Sequence, residues 1–119
     1  MDARSRGKWG EGIALEYLKN KGYTAVAAGF RTRFGEIDLI VKDSAFIAFV
    51  EVKLRKNANF AQAREFVGKA KQRKIIATAQ IWLSSHQTRL QPRFDVIEIY
   101  APEGAETANL EIIHIENAF

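Results

Sequence analysis

Two neighbouring stretches decide the fold: GEIDLIV (35–41) and FIAFVEVKL (46–54), separated by the turn Lys42-Asp43-Ser44-Ala45. Both have the length and β-branched, aromatic content of strands, and the short polar connection makes them an antiparallel hairpin. The second is apolar on both sides: Phe46, Ala48, Val50 and Val52 alternate with Ile47 and Phe49. A strand with two apolar faces belongs in the middle of a sheet covered on both sides by helices.

Working outward, residues 5–21 read as a helix. Trp9, Ile13 and Tyr17 recur every four residues, Ala14 and Leu18 lie beside them, and Gly22 follows as a stop. Residues 23–28 form a first strand. A long helical stretch covers residues 61–84, with Gly68 as a point of interruption and Ile75, Ile76, Ala79, Trp82 and Leu83 as its apolar stripe. Residues 93–100 and 110–115 supply two last strands. The expectation is a single α/β domain with a central mixed β-sheet flanked by helices, an αβββαβ core plus a C-terminal strand.

Charge is distributed unevenly. From Lys53 to Arg93 there are ten basic residues and one acid, Glu65, whereas from Asp95 onward there are six acids and no Lys or Arg. A basic region on a small domain is the footprint of a polyanion such as nucleic acid, although a solvated helix face gives the same count. The chain has no cysteine, which excludes disulfides, zinc–thiolate sites and thiol nucleophiles. No apolar run approaches the ~20 residues of a membrane span, and the charged start MDARSRGKWGEG lacks the apolar core of a secretory signal. The reading is a cytoplasmic protein with no membrane partner.

Charges in the hairpin interrupt an otherwise apolar pattern. The face carrying Ile47 and Phe49 continues with Glu51 and Lys53, and Glu36 and Asp38 share a face with Ile40. With a two-residue loop Asp38 opposes Phe49 and has Glu51 as its diagonal neighbour. With the four-residue loop 43–46, Asp38 opposes Glu51 directly. Any even-length loop thus puts the two carboxylates on one face, within roughly 5–8 Å at Cβ, whereas an odd loop or a bulge would break the arrangement. A carboxylate pair in a buried strand needs a compensating charge. That charge is either Lys53, giving a structural ion-pair cluster, or a hard cation such as Mg²⁺; geometry leaves both open.

The spacing Asp38…Glu51-Val52-Lys53 resembles the PD-(D/E)xK nuclease signature. The series GKWGE (7–11), GEIDLI, FVEVKLR, KAKQRK and RFDV is similar to the YraN-like family, bacterial proteins proposed as endonucleases and similar in pattern to archaeal Holliday-junction resolvases. The likeness runs from about Gly7 to Tyr100. It implies a restriction-endonuclease-like fold and hydrolysis of DNA phosphodiester bonds, on branched or otherwise structured DNA, with Mg²⁺ or Mn²⁺ as cofactor. It also implies roles: Asp38 and Glu51 as metal ligands with the Val52 carbonyl, Lys53 as the group that positions or deprotonates the attacking water, and Glu11 completing the metal site. Gln72, on the apolar face of its helix, becomes a candidate to orient water or phosphate, and Glu36 a supporting acid. Arg31, Arg33, Arg55, Lys71, Arg73 and Lys74 are candidate phosphate contacts, which give affinity without sequence preference. A resolvase-like role would need two active sites, hence a homodimer. The alternative is a non-catalytic or partner-dependent nucleic-acid-binding module on the same fold. Asp95 is expected to pair with Arg93 or another basic residue, and the isolated His86 and His114 are expected to be surface or packing residues.

Overall fold

The computed structural model describes residues 1–56 and 67–119. Its elements are α1 (Ala3–Asn20), β1 (Thr24–Thr32), β2 (Gly35–Lys42), β3 (Phe46–Arg55), α2 (Lys69–Ser85), β4 (Gln91–Tyr100), a short 3₁₀ turn (Gly104–Glu106) and β5 (Glu111–Ile115). The strands form one sheet in the order β1-β2-β3-β4-β5. β3 and β4 run parallel while every other neighbouring pair is antiparallel, so the sheet is mixed, as expected. No helix among the described residues is long and apolar enough to cross a membrane.

The two-sided apolar pattern of β3 is used as anticipated. On one face Leu39, Val41, Ala48, Val50, Ile97 and Ile99 pack under Ala14 and Leu18 of α1. On the other, Ile40, Ile47, Phe49 and Val96 pack under Ile75, Ala79 and Trp82 of α2. The sheet is therefore the middle of three layers. Ile76, placed on the apolar stripe from its spacing, is only half-buried.

Element ends differ from the expectation in ways that local chemistry explains. α1 begins two residues early because Asp2 accepts the Ser5 N–H at 2.8 Å and so caps the helix. β1 runs four residues past Ala28 because Phe30, Arg31 and Thr32 pair with Ile37, Glu36 and Gly35. The part of the 61–84 helix reading before residue 67 lies outside the described residues. The helix that is described opens at Lys69 with Gly68 as its N-cap, as the glycine suggested. The hairpin takes the four-residue loop: Lys42 pairs with Ile47, and Asp43 accepts the N–H groups of Ala45 and Phe46 at 2.9 and 2.8 Å.

Candidate active site

Asp38 sits where the sheet is locally disrupted. Between the pairs Ala28–Leu39 and Phe30–Ile37, Gly29 stands opposite Asp38 with φ +66°, a left-handed conformation that other residues adopt at a cost. On the other side, the β2–β3 ladder ends at Leu39–Val50. One residue farther, the Asp38 carboxylate replaces the missing backbone partner and accepts the Val52 N–H at 2.8 Å. The carboxylate thus lies at the end of the β2–β3 ladder, between Glu11 of α1 and Glu51 of β3, both within hydrogen-bonding reach of it.

The other charges come from all three layers: Glu51 and Lys53 from β3, Glu11 from α1 and Lys71 from α2. Glu51 is 5% exposed, with the Lys71 ammonium of α2 at 2.5 Å and Lys53 at 3.7 Å. Glu11 is half-buried on the inward side of α1. Its approach is eased by Gly10, whose added Cβ would come within 3.2–3.4 Å of the Leu54 side chain. Glycine there lets α1 lie close on β3 and brings Glu11 down to the sheet. Glu11, Asp38 and Val52 line one groove of about 230 Å³ with Arg6, Gly7 and Leu54.

The electrostatics of the groove are strained. Burial pushes the Asp38 carboxyl up to about 7, with repulsion from Glu51 and Glu11 adding to it and the Val52 N–H opposing it. Glu11 is also pushed up, first by burial and then by the charge of Glu36, against a hydrogen bond with Asp38. Acids crowded until one resists ionising, in a groove of hard oxygen donors, suit a divalent cation. The side chains do not stand as a closed ligand set: among the described residues no group of three is arranged to hold an ion. Lys71 occupies Glu51, so a cation bridging Asp38 and Glu51 would have to displace a half-exposed ammonium.

The remaining candidates disperse. Gln72 donates its side-chain N–H to the Val67 carbonyl at 2.8 Å, holding the chain as it enters α2. Glu36 takes two hydrogen bonds from Arg31, at 2.9 and 3.2 Å, on the surface. Arg33 lies over the Phe34 ring. Arg55 is turned inward, 18% exposed and 3.6 Å from Glu98, whereas Arg73 and Lys74 are exposed on α2, as Lys69 and Lys71 are.

A second charged cluster was only partly anticipated. Asp95, fully buried, receives two hydrogen bonds from Arg93 and one from His114, each 2.8 Å, and the Asn117 N–H at 3.1 Å. Burial pushes Asp95 up, but these donors outweigh it and hold the carboxyl below the usual range. The Arg93 pairing is the one expected. His114 is not isolated: it is a packing residue with polar partners, Asp95 through Nε2 and Lys21 through Nδ1 at 2.8 Å. Strand pairing of β4 with β5 creates that contact, which no local spacing reveals. Glu98 and Tyr100, joined by a 2.9 Å hydrogen bond on β4, were likewise missed; alternation beyond Val96 would have placed both on the Lys53 side of the sheet.

The family described as Uncharacterised protein family UPF0102 matches residues 10–99. The chain belongs to this family. A UPF0102 protein of Caldanaerobacter subterraneus subsp. tengcongensis is 43% identical, covering 100% of this chain and 98% of its own. One from Persephonella marina is 42% identical over 96% of this chain and 92% of its own. One from Vibrio parahaemolyticus is 46% identical over 82% of each. UPF0102 membership bears out the YraN-like resemblance, and the matched region spans Glu11, Asp38, Glu51, Lys53 and Lys71.

Proposed function

We propose that this UPF0102 protein is a metal-dependent endonuclease that hydrolyses DNA phosphodiester bonds, on branched or otherwise structured DNA. The observation that carries the reading is the gathering of Glu11, Asp38, Glu51 and Lys53 from three elements around the end of the β2–β3 ladder. A structural ion pair needs one acid and one base; it gives no reason to hold three carboxylates together until Asp38 resists ionisation.

Asp38, Glu51 and Glu11 would hold Mg²⁺ or Mn²⁺, with the Val52 carbonyl as a further oxygen. When bound, such an ion polarises the phosphate and lowers the pKa of a coordinated water. Lys53, 27% exposed and beside Glu51, meets the developing negative charge on the phosphate and orients the attacking water. Asp38 keeps its orientation through the Val52 N–H. Arg6, at the groove mouth, and the exposed cations of α2 hold flanking phosphates.

The second reading is a nucleic-acid-binding module on the same fold that lacks cleavage or needs a partner for it. The Lys71–Glu51 contact favours it, since a cation already neutralises the acid that a metal would need. Incubating the chain with labelled linear, single-stranded and four-way-junction DNA, in Mg²⁺, Mn²⁺ or chelator, separates the two. The nuclease reading expects metal-dependent cleavage that vanishes in Asp38→Asn and Lys53→Ala. Binding that weakens with salt and never leads to cleavage supports the module instead.

A further inference from the structure

Next to the carboxylate groove is a larger cavity of about 550 Å³, at the C-terminal ends of the parallel strands β3 and β4. Arg6 and Leu54 line both spaces, so the two are adjoining compartments of one surface. The half-buried indole of Trp9 forms part of the cavity wall, with Leu54 and Pro102 as further apolar surface. Arg6 and Lys56 are exposed at it, and Arg55 reaches it from its place beside Glu98. Among the described residues the acid on its lining is Glu106, which belongs to the 3₁₀ turn.

This combination selects a ligand. An inorganic anion has no use for an indole and an apolar wall, and an uncharged apolar ligand would not be met by three cations. A nucleotide has both a flat aromatic surface and an anion, and the volume is that of a small-molecule site. We propose that the cavity takes one unstacked nucleobase of the strand lying in the carboxylate groove, stacked on Trp9, with Arg6 and Lys56 on the adjoining phosphates. The inference rests on the nucleic-acid reading above and narrows it. A substrate must surrender a stacked base beside the site of cleavage, which single strands, flaps and branch points do more readily than continuous duplex.

The test reads binding in chelator, where cleavage cannot intervene. The protein has two tryptophans, and Trp82 is 8% exposed and stacked on His86, so emission that responds to DNA comes from Trp9. A thymidine 12-mer is expected to quench the emission of the wild-type chain but not of Trp9→Phe. Fluorescence anisotropy should show the affinity for this 12-mer falling about 5- to 150-fold in Trp9→Ala, the range for losing one stacked base. A 12-mer made of abasic residues, with the same phosphates, should bind the wild-type chain weakly by a similar factor; this arm does not depend on any variant folding.

Unchanged Trp9 emission on a bound 12-mer, or equal affinity for the thymidine and abasic strands, overturns the inference. Metal-dependent cleavage with no Trp9 response removes the base pocket and leaves the nuclease reading. A Trp9 response without cleavage keeps the pocket and removes the nuclease. No binding of the 12-mer at all overturns the base pocket.

Discussion

Replacing Asp38 by Asn should stabilise the metal-free protein, and the gain should depend on pH. Burial, with Glu51 and Glu11 adding repulsion, pushes this carboxyl from 3.8 to about 7. Between those values the folded chain keeps a proton that the unfolded chain releases, so stability falls as pH rises through the window. The cost is absent below the unfolded value and complete above the folded one. At about 1.4 kcal/mol per pKa unit, ionised Asp38 costs up to about 4 kcal/mol at pH 8 and under about 2 kcal/mol at pH 5. Asn keeps an oxygen to accept the Val52 N–H, now 2.8 Å from Asp38, and changes little volume. Local relaxation and water at a partly exposed group reduce the gain to about 2 kcal/mol at pH 8. For a chain of 119 residues that is roughly 5–12 °C in Tm. Urea and thermal unfolding in chelator, at pH 5 and pH 8, measure it. Added Mg²⁺ should then raise the wild-type Tm by binding the folded state and move Asp38→Asn much less. An Asn variant no more stable than wild type at pH 8, or one with the same advantage at both pH values, refutes the claim that this carboxylate is held ionised against its surroundings.

The other charged cluster should respond in the opposite direction. Asp95→Asn at pH 7 leaves the buried Arg93 without its carboxylate and should cost about 3–5 kcal/mol in urea unfolding. Because its donors hold the Asp95 carboxyl low, its contribution is present at neutral pH and lost as pH falls through the acid range, so the difference from wild type should shrink below about pH 4. Gly10→Ala should be close to neutral, since the Leu54 side chain, 3.2 Å from the added Cβ, can yield a few tenths of an ångström. Gly10→Val should lift α1 off β3, cost about 1–3 kcal/mol and weaken Mn²⁺ binding as Glu11 moves away, read by unfolding and by titration calorimetry.

The residues that made the fold legible were those with unambiguous periodicity. The two apolar faces of β3 announced a covered central strand. The Trp9–Ile13–Tyr17 repeat with Ala14 and Leu18 beside it and the Ile75–Ile76–Ala79–Trp82–Leu83 stripe announced the helices that cover it, of which Ala14, Leu18, Ile75, Ala79 and Trp82 are the buried members. Element ends were less legible because they depend on single hydrogen bonds, such as the Asp2 cap and the Asp43 turn. The hairpin brought Asp38 near Glu51 under either loop length, but alternation could not show Asp38 turning into the gap at the end of the ladder. Gly29, opposite Asp38 and left-handed, was the sequence sign of that distortion. Lys71 was read, with its basic neighbours, as a candidate phosphate contact; that its amine reaches Glu51 depends on how α2 packs on the sheet. Contacts between distant strands, such as His114 with Asp95, have no local signature at all.

Whether the three acids are a metal site is measured most directly by calorimetric titration of Mn²⁺ into the wild-type chain, Asp38→Asn, Glu51→Gln and Lys71→Ala at pH 7.5. One ion should bind the wild-type chain with release of a fraction of a proton, as expected at this pH when Asp38 is pushed up to about 7. Binding should be lost in Asp38→Asn and Glu51→Gln. It should be about tenfold tighter in Lys71→Ala, where the competing ammonium at 2.5 Å is gone. Binding unaffected by the Asp38 and Glu51 changes, or no binding even in Lys71→Ala, would contradict the account and leave a structural charge cluster in its place.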